Sequence, residues 1–316
     1  MQHVHNNSGK QRPAIGGAAA ATLAALCWGA AVVMSKGALD RLPPILLLVV
    51  QLASSVTFLW TALLIRGLRR ADILGAMRVA WLGLLEPGLA FGLGLIGLAD
   101  APAGNATLIG ATEAIAIACL SAALFGERLS RGFFVLSAVA IIGLILAVGV
   151  DGSVSGGLFG NGMLAIATLV AAVFVVLSGR VVRDRDPMLV VACQHLAALA
   201  FALALLPIEI AAGDGAAPSV VPLSIWFLAI GSGIVQYALA FSFFLAAMRS
   251  IAASLVGAFL YLSPVVGLAG AILFLGEMFS ASQLAGAALT IAALLALNWI
   301  GPAKEAPVAA IVAKDG

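Results

Sequence analysis

The sequence has few charged residues. Of its 316 residues only 9% are charged, as 16 Lys plus Arg and 14 Asp plus Glu, whereas 63% are apolar and the mean hydropathy is +1.16. A soluble domain carries about 25% charged residues, which keep its surface hydrated. The shortage excludes a soluble globular protein and indicates a chain surrounded mostly by lipid. The net charge of +2 is also too small to indicate a nucleic-acid partner.

Cysteine is equally scarce, and the usual signatures of an enzyme are missing. Cys27, Cys119 and Cys193 lie inside apolar stretches without metal-ligand spacing, so neither a disulfide nor a metal site is expected. No Asp lies in the middle of an apolar stretch, and no Gly-x4-Gly-Lys-Ser/Thr nucleotide loop occurs. Gly231-Ser232-Gly233 superficially suggests a serine nucleophile, but nothing specifies a base for it. We therefore expect no catalytic residues, no enzyme activity and no cofactor.

The sequence contains instead ten long windows that are poor in charge. A helix needs about 20 apolar residues to span a bilayer, and continuously apolar windows favour helices over a β-barrel, whose strands alternate. The windows lie near residues 14–35, 44–65, 79–99, 102–125, 132–150, 158–179, 188–208, 222–247, 252–275 and 282–301. The sequence thus predicts an all-α integral membrane protein with ten transmembrane helices.

The positions of Lys and Arg predict the orientation. If the N-terminus is cytoplasmic, 14 of these 16 residues lie on the cytoplasmic side, and only Lys36 and Arg41 lie outside. The opposite orientation would reverse this ratio. Both termini are therefore expected in the cytoplasm and the protein in the cell (inner) membrane.

Two parts of the chain resemble each other. Leu124-Phe125-Gly126-Glu127 recurs 150 residues later as Phe274-Leu275-Gly276-Glu277. Other pairs match residues 150 or 143 positions apart: Gly83 with Gly233, Glu86 with Gln236, Ser35 with Ser178, and Gln51 with Gln194. In each Gly-Glu pair, the Gly is expected to end a helix and the Glu to stabilise the start of the next one.

The repeat predicts the domain organisation. Five spans in each half are an odd number, so the second half enters the membrane in the opposite direction, which is the inverted-repeat plan of secondary transporters. We expect five-helix repeats at 14–150 and 151–301, flanked by cytoplasmic tails at 1–13 and 302–316.

Several motifs resemble those of the drug/metabolite transporter superfamily, specifically its EamA-type branch of ten-span carriers. The motifs are Trp28-Gly29 with Lys36 eight residues after the Trp, Pro43-Pro44, and the helix ends Gly126-Glu127 and Gly276-Glu277. The sequence departs from this pattern in two places. Gln51 stands where Arg is frequent, and Ala114 replaces a Pro that the second half keeps as Pro264.

The resemblance implies a function and a place for the site. Members of this branch look like exporters of amino acids and related metabolites, and one subgroup exports aromatic amino acids. The family's central cavity is lined by the first, third and fourth helices of each half. No diagnostic aromatic motif connects this sequence to the aromatic subgroup.

Two acidic residues inside the predicted spans are the main candidates for a substrate or proton pathway, because charge inside a bilayer is costly. Glu113 lies near the middle of the fourth window, with Thr112 beside it. Glu86 lies in the third window, and its repeat partner is Gln236. Each Glu could contact a substrate amino group, exchange a proton, or only make a structural hydrogen bond to a neighbouring helix.

The remaining candidates are polar or aromatic residues and one proline. Pro264, beside Tyr261 and Ser263, would free a backbone carbonyl near mid-membrane and form either a binding site, a hinge or a tolerated kink. Trp28 either lines the cavity or packs. Weaker candidates for substrate contact are Gln51, Gln194 and His195.

The charged residues inside the predicted spans narrow the chemical class of the expected substrate. No Lys or Arg lies in mid-span, so an anionic substrate is not expected, whereas two acids favour a zwitterion, a cation or a neutral solute. Export of amino acids, aromatic or small neutral ones included, by alternating access is the leading hypothesis. The alternatives are multidrug efflux of hydrophobic cations and a membrane sensor or scaffold that transports nothing. The expected partners are a small-molecule substrate, the lipid bilayer and protons.

Overall fold

The structure is a computed structural model that describes residues 14–67, 70–126, 129–148, 157–181, 186–212, 221–248, 250–251, 256 and 259–300. Every regular element in these ranges is helical. The α-helices are α1 Ala14–Leu39, α2 Pro44–Arg66, α3 Arg70–Met77, α4 Ala90–Asp100, α5 Ala103–Ala111, α6 Glu113–Phe125, α7 Arg131–Val148, α8 Leu158–Val181, α9 Pro187–Ala211, α10 Leu223–Gly233, α11 Ala240–Met248, α12 Leu262–Leu275 and α13 Ala281–Ile300.

Eight helical stretches in the described ranges are long and apolar enough to cross a membrane. They are Gly16–Leu39, Pro44–Arg66, Ala80–Asp100, Ala103–Phe125, Arg131–Val148, Leu158–Ser178, Met188–Ala211 and Leu223–Ala247. Two shorter apolar helices, Leu262–Leu275 and Ala281–Leu297, follow them. The all-helical membrane architecture agrees with the sequence analysis, whereas ten spans and cytoplasmic termini stay predictions.

Several of these stretches are not continuous α-helices. A 3₁₀ turn, Ala80–Leu84, and a wide turn, Leu85–Leu89, precede α4, and within the wide turn Glu86 has non-helical dihedral angles of φ −142° and ψ 127°. A second wide turn, Ile234–Leu239, joins α10 to α11. π-type turns inside helices frequently lie at functional sites.

Pro264 lies directly after an interruption of helical structure, since Phe259 and Leu260 are helical, Tyr261 forms a turn and a helix begins again at Leu262. α12 begins at Leu262, so Pro264 occupies its first turn, where a backbone N–H has no intrahelical acceptor. The hydrogen bond that proline cannot donate is the one to the residue 260 carbonyl, across the turn at Tyr261, so the break agrees with a proline kink. The fourth span is interrupted at Thr112, between α5 and α6, even though Ala114 stands there in place of a proline.

Glycines set the closest helix contacts, as is usual where helices pack in a membrane. Gly143 on α7 faces the backbone of Gly286 and Thr290 on α13, and Gly97 on α4 faces Gly160 on α8. A Cβ atom at Gly143 or Gly97 would come within 3 Å of the facing backbone. These helix pairs can approach this closely only because neither position carries a side chain.

Charged side chains cap helix ends at one end of the bundle. The Lys36 ammonium donates to the carbonyls of Leu98, Ala99 and Ala101 at 2.7, 3.2 and 2.9 Å, at the C-terminus of α4. The Glu209 carboxylate accepts from the N–H groups of Ile45 and Leu46 at 2.7 and 2.9 Å, at the N-terminus of α2. Both contacts complement the partial charges of a helix end.

Glu277 also caps a helix, but not the one that the sequence analysis expected. Gly126 and Gly276 both end helices with φ of 68°. The Glu277 carboxylate then accepts from the N–H groups of Ala103 and Gly104 at 2.6 and 3.1 Å. It therefore stabilises the start of α5 rather than of α13, because its chain leaves α12 beside the fourth span. Glu127 lies outside the described residues.

Candidate functional site

A cavity of about 170 Å³ lies between α1, the interrupted third span, α5, α6 and α8. Its walls are mainly apolar, with Val32, Phe91 and Leu164 among the residues that line it. Its polar lining residues are Ser35, Glu86, Glu113, Thr168 and Gln236. A largely apolar pocket with a few convergent polar groups is the usual form of a small-molecule site.

Glu86 reaches the cavity from the break in the third span. The residue is 9% exposed, and its Oε2 atom is buried without a hydrogen-bond partner among the described residues. A buried carboxylate oxygen without a partner is costly, since it has lost water and gained nothing. Glu86 Oε2 is therefore an unused acceptor on a residue that lines the cavity.

Glu113 faces the same cavity from the first residue of α6. The interruption at Thr112 precedes it, and the Thr112 hydroxyl donates to the Ile109 carbonyl at 2.7 Å rather than to the cavity. The side chains of Glu86 and Glu113 thus line one and the same cavity. Together they make the cavity suited to a positively charged or proton-donating group.

Gln236 lines the cavity at the end of a chain of buried hydrogen bonds. The Gln51 Nε2 atom donates to the hydroxyl oxygens of Ser35 and Ser232, both at 2.8 Å, and the Ser35 hydroxyl donates to Gln236 Oε1 at 3.4 Å. Gln51 is fully buried and does not line the cavity. It positions Ser35 and Gln236, which do.

Aromatic rings support the wall behind Glu86 and Gln236. Tyr237 is fully buried and packs edge-on against Phe91, with ring centroids 5.0 Å apart. His195 lies behind Tyr237 at 5.6 Å, and its Nδ1 atom is 3.0 Å from the Ser55 hydroxyl. His195 is thus a buried, partnered residue behind the wall.

The other predicted site residues lie away from the cavity lining. Trp28 packs edge-on against Phe241 at a centroid distance of 5.4 Å, and Tyr261 packs in an apolar cluster with α7 and α13. Pro264 is buried in α12, and the backbone carbonyl of Ser263 contacts Gly29. Gln194 is buried, and its backbone lies against Gly83.

Two cavity residues were not among the predicted site residues. Ser35 was noted only as a repeat pair, and Thr168 was not noted at all. Each is one of only two hydroxyl residues in a long apolar helix, with Thr22 as the other in α1 and Ser178 as the other in α8, and this scarcity is the signal that could have found it. Over the described ranges, no group of three or more His, Cys, Asp or Glu residues could hold a metal ion.

Comparison with known protein families identifies the family of the chain. The model of the EamA-like transporter family matches the chain twice, at residues 15–149 and 158–299. The chain belongs to the EamA-like transporter family. It is accordingly an integral membrane protein of a transporter family, whose members generally are not enzymes.

The fold of this EamA-like transporter is also found among solved structures. One of them, described only as the crystal structure of a protein, is 20% identical to it with a TM-score of 0.63. The match covers 90% of this chain and 96% of the other. At this identity the likeness shows the fold alone. No curated protein matches the chain closely enough to indicate a relationship.

Proposed function

We propose that this EamA-like transporter exports small metabolites, above all amino acids, across the inner membrane by alternating access around the cavity. The observation that carries the proposal is the pair of carboxylates, Glu86 and Glu113, on one mainly apolar cavity. No Lys or Arg is among the described residues that line it. A primary ammonium group could satisfy the unpartnered Glu86 Oε2 and approach Glu113 as well.

The size and walls of the cavity support a small solute. Its volume of about 170 Å³ is below the range of roughly 300–1,000 Å³ that is typical of sites for drug-sized ligands. Phe91 offers an aromatic ring to the substrate, which suits apolar or aromatic side chains. These features favour amino acids, small neutral or aromatic, over large multidrug substrates.

The packing of the fourth span supports a rocking motion. α5 packs against both α8 and α12, with Gly267 of α12 against Thr107, whereas α6 packs mainly against α8. The main contact with α12 thus ends near the Thr112 interruption, directly before Glu113. A hinge there would open and close the cavity, as in transporters with broken helices around a central site. Exchange of a proton at Glu113 would link the motion to a proton gradient.

Hydrophobic cations are the second candidate substrate, because two carboxylates in an apolar cavity would also attract them. A sensor or scaffold without transport activity is the alternative of another class. It would bind a solute through the same residues without moving it.

The proposal is tested by flux from proteoliposomes preloaded with a panel of amino acids. We expect saturable flux for one class of amino acid and at least about a tenfold loss in Glu113→Gln, since interactions with a charged group contribute this much. The matched control is Asp40→Asn, which removes a carboxylate from an exposed residue beyond α1. Wild type and both variants are compared at equal density of folded protein.

Three outcomes contradict the proposal in different ways. Flux of lipophilic cations without flux of any amino acid favours the efflux alternative. Binding without flux, in folded protein, favours the sensor. An equal loss of flux in Glu113→Gln and Asp40→Asn removes Glu113 from the transport path.

A further inference from the structure

The hydrogen bonds of Ser232 determine which group donates and which accepts along the buried chain of hydrogen bonds that ends at Gln236 in the cavity. The Ser232 hydroxyl donates to the Ala229 carbonyl at 2.8 Å, so its oxygen can only accept from Gln51. The amide of Gln51 must therefore present Nε2 to Ser232, and the same Nε2 atom also donates to Ser35 at 2.8 Å.

The same logic orients Gln236. Ser35 receives a hydrogen bond from Gln51, so its own hydroxyl hydrogen is free to reach Gln236, at an Oγ to Oε1 distance of 3.4 Å. The amide oxygen of Gln236 is then the end that faces Ser35. Gln236 lines the cavity, and its hydrogen bond to a described side chain uses Oε1, which leaves the amide nitrogen, Nε2, for a ligand.

This nitrogen is the remaining side-chain donor of the cavity. Of the two hydroxyls that line it, Ser35 is directed to Gln236, and Thr168 donates to the Leu164 carbonyl at 2.9 Å. Ionised Glu86 and Glu113 can only accept. While both acids are ionised, the described residues that line the cavity therefore offer acceptors on Glu86 and Glu113 and one unused side-chain donor on Gln236.

We infer that Gln236 Nε2 binds the carboxylate of the substrate, which makes Gln236 the residue that distinguishes an amino acid from the corresponding amine. The inference rests on the proposed function and narrows it to zwitterions. The ammonium group of the substrate faces Glu86 and Glu113, and its carboxylate faces the amide. Without this donor, the substrate carboxylate would lie in an acidic cavity with no donor among the described side chains, so an amine would be preferred.

The test compares the flux of an amino acid with that of its decarboxylated amine, phenylalanine with phenethylamine or alanine with ethylamine. Gln236→Glu keeps the shape of the side chain and the acceptor toward Ser35 but replaces the donor with a carboxylate. We expect the ratio of amino-acid flux to amine flux to fall about 10- to 100-fold, because a hydrogen bond to a charged group is lost. The amine should remain a substrate.

Two further variants show whether the change in flux ratio is specific to the Gln236 amide or reflects general damage to the protein. Ser35→Ala removes the hydroxyl that orients the amide, so the same flux ratio should fall by a smaller factor. Gln283→Leu is the matched control, since Gln283 is a buried glutamine that bonds to Ser280 and Ala147 away from the cavity. Its flux ratio should equal that of wild type.

The outcomes separate this inference from the proposed function. If folded Gln236→Glu loses both fluxes equally, or loses neither, Gln236 does not bind the carboxylate, while the transporter proposal stands. If Gln236→Glu does not fold, an unchanged ratio in Ser35→Ala overturns the inference. If the wild type transports neither compound of any pair, both proposals fail together.

Discussion

At two helix crossings of this transporter a glycine lies against the backbone of a glutamine, but the side chains of the two glutamines differ in their hydrogen bonds. At one crossing, Gly233 lies against the backbone of Gln51; at the other, Gly83 lies against the backbone of Gln194. These are the residues that the sequence comparison paired. Gln51 donates two hydrogen bonds through Nε2, and only its Oε1 is buried without a partner, whereas for Gln194 it is Nε2 that has no partner among the described residues.

The difference follows from particular substitutions between the two sets of residues. Ser232, which accepts from Gln51, has Leu82 at the matching position, so Gln194 has no equivalent hydroxyl there. Ser178, which matches Ser35, has a buried hydroxyl without a partner in the described ranges. Glycine therefore fixes how closely the helices cross, and neighbouring polar residues decide which side chain is held in place.

The comparison also explains the polarity of the cavity. Gln236 follows the bonded crossing and is held by Ser35, whereas its sequence partner Glu86 follows the other crossing and has an unpartnered Oε2. An amide and a carboxylate thus occupy matching positions on one cavity. A solute with both an acceptor and a donor end complements this pair better than a simple cation does.

The largest expected effect is at the two crossing glycines. A Cβ at Gly83 or Gly233 would overlap the backbone of Gln194 or Gln51, and backbone cannot move aside as a flexible side chain can. We expect Gly83→Ala and Gly233→Ala each to lower the free energy of unfolding by at least about 3 kcal/mol. Thermal unfolding in detergent measures this.

The control for these glycines is Gly162→Ala in α8. A Cβ there would meet nothing within 4 Å, and Ala is a better helix former by up to about 1 kcal/mol. Its unfolding temperature should stay unchanged or rise. If Gly83→Ala or Gly233→Ala behaves like Gly162→Ala, the close crossings do not exist in the folded protein.

The second largest effect is a difference in stability between variants of the two glutamines, Gln51 and Gln194. Gln51→Leu removes two hydrogen bonds of 2.8 Å inside the protein and should cost about 2 kcal/mol. Gln194→Leu removes a buried amide nitrogen that has no partner among the described residues, so stability should change little or increase. The measurement is again thermal unfolding, and equal losses in both variants would contradict the comparison.

The sequence was informative about membrane spans and about pairs of residues. The predicted window 102–125 agrees closely with the span Ala103–Phe125, because long apolar runs mark a bilayer-spanning helix directly. Sequence spacing paired Gly83 with Gly233 and Gln51 with Gln194. In the structure, Gly83 lies against the backbone of Gln194, and Gly233 lies against the backbone of Gln51. Glu86, Glu113 and Gln236, which the sequence singled out as polar, lie on one cavity.

What the sequence could not predict was the rotation and continuity of the spans. A continuously apolar helix has no marked polar face, so Trp28 and His195 gave no sign that they pack elsewhere. The interruption at Thr112 has no strong local signal either, whereas Glu86 directly precedes Pro87, and the residue before a proline favours the extended dihedral angles found there. Ser35 and Thr168 line the cavity because of the way that α1 and α8 are turned, which only tertiary packing determines.

The smallest effect concerns single hydroxyls at the two crossings. Ser232→Ala leaves one N–H of Gln51 without its acceptor, which should cost about 1 kcal/mol, whereas Ser178→Ala removes a hydroxyl that has no partner among the described residues and should cost close to nothing. A double-mutant cycle of Ser232→Ala with Gln51→Leu should give a coupling of at least about 0.5 kcal/mol. Additive effects would mean that Ser232 does not hold Gln51, and the orientation of Gln236 would then have to come from another contact.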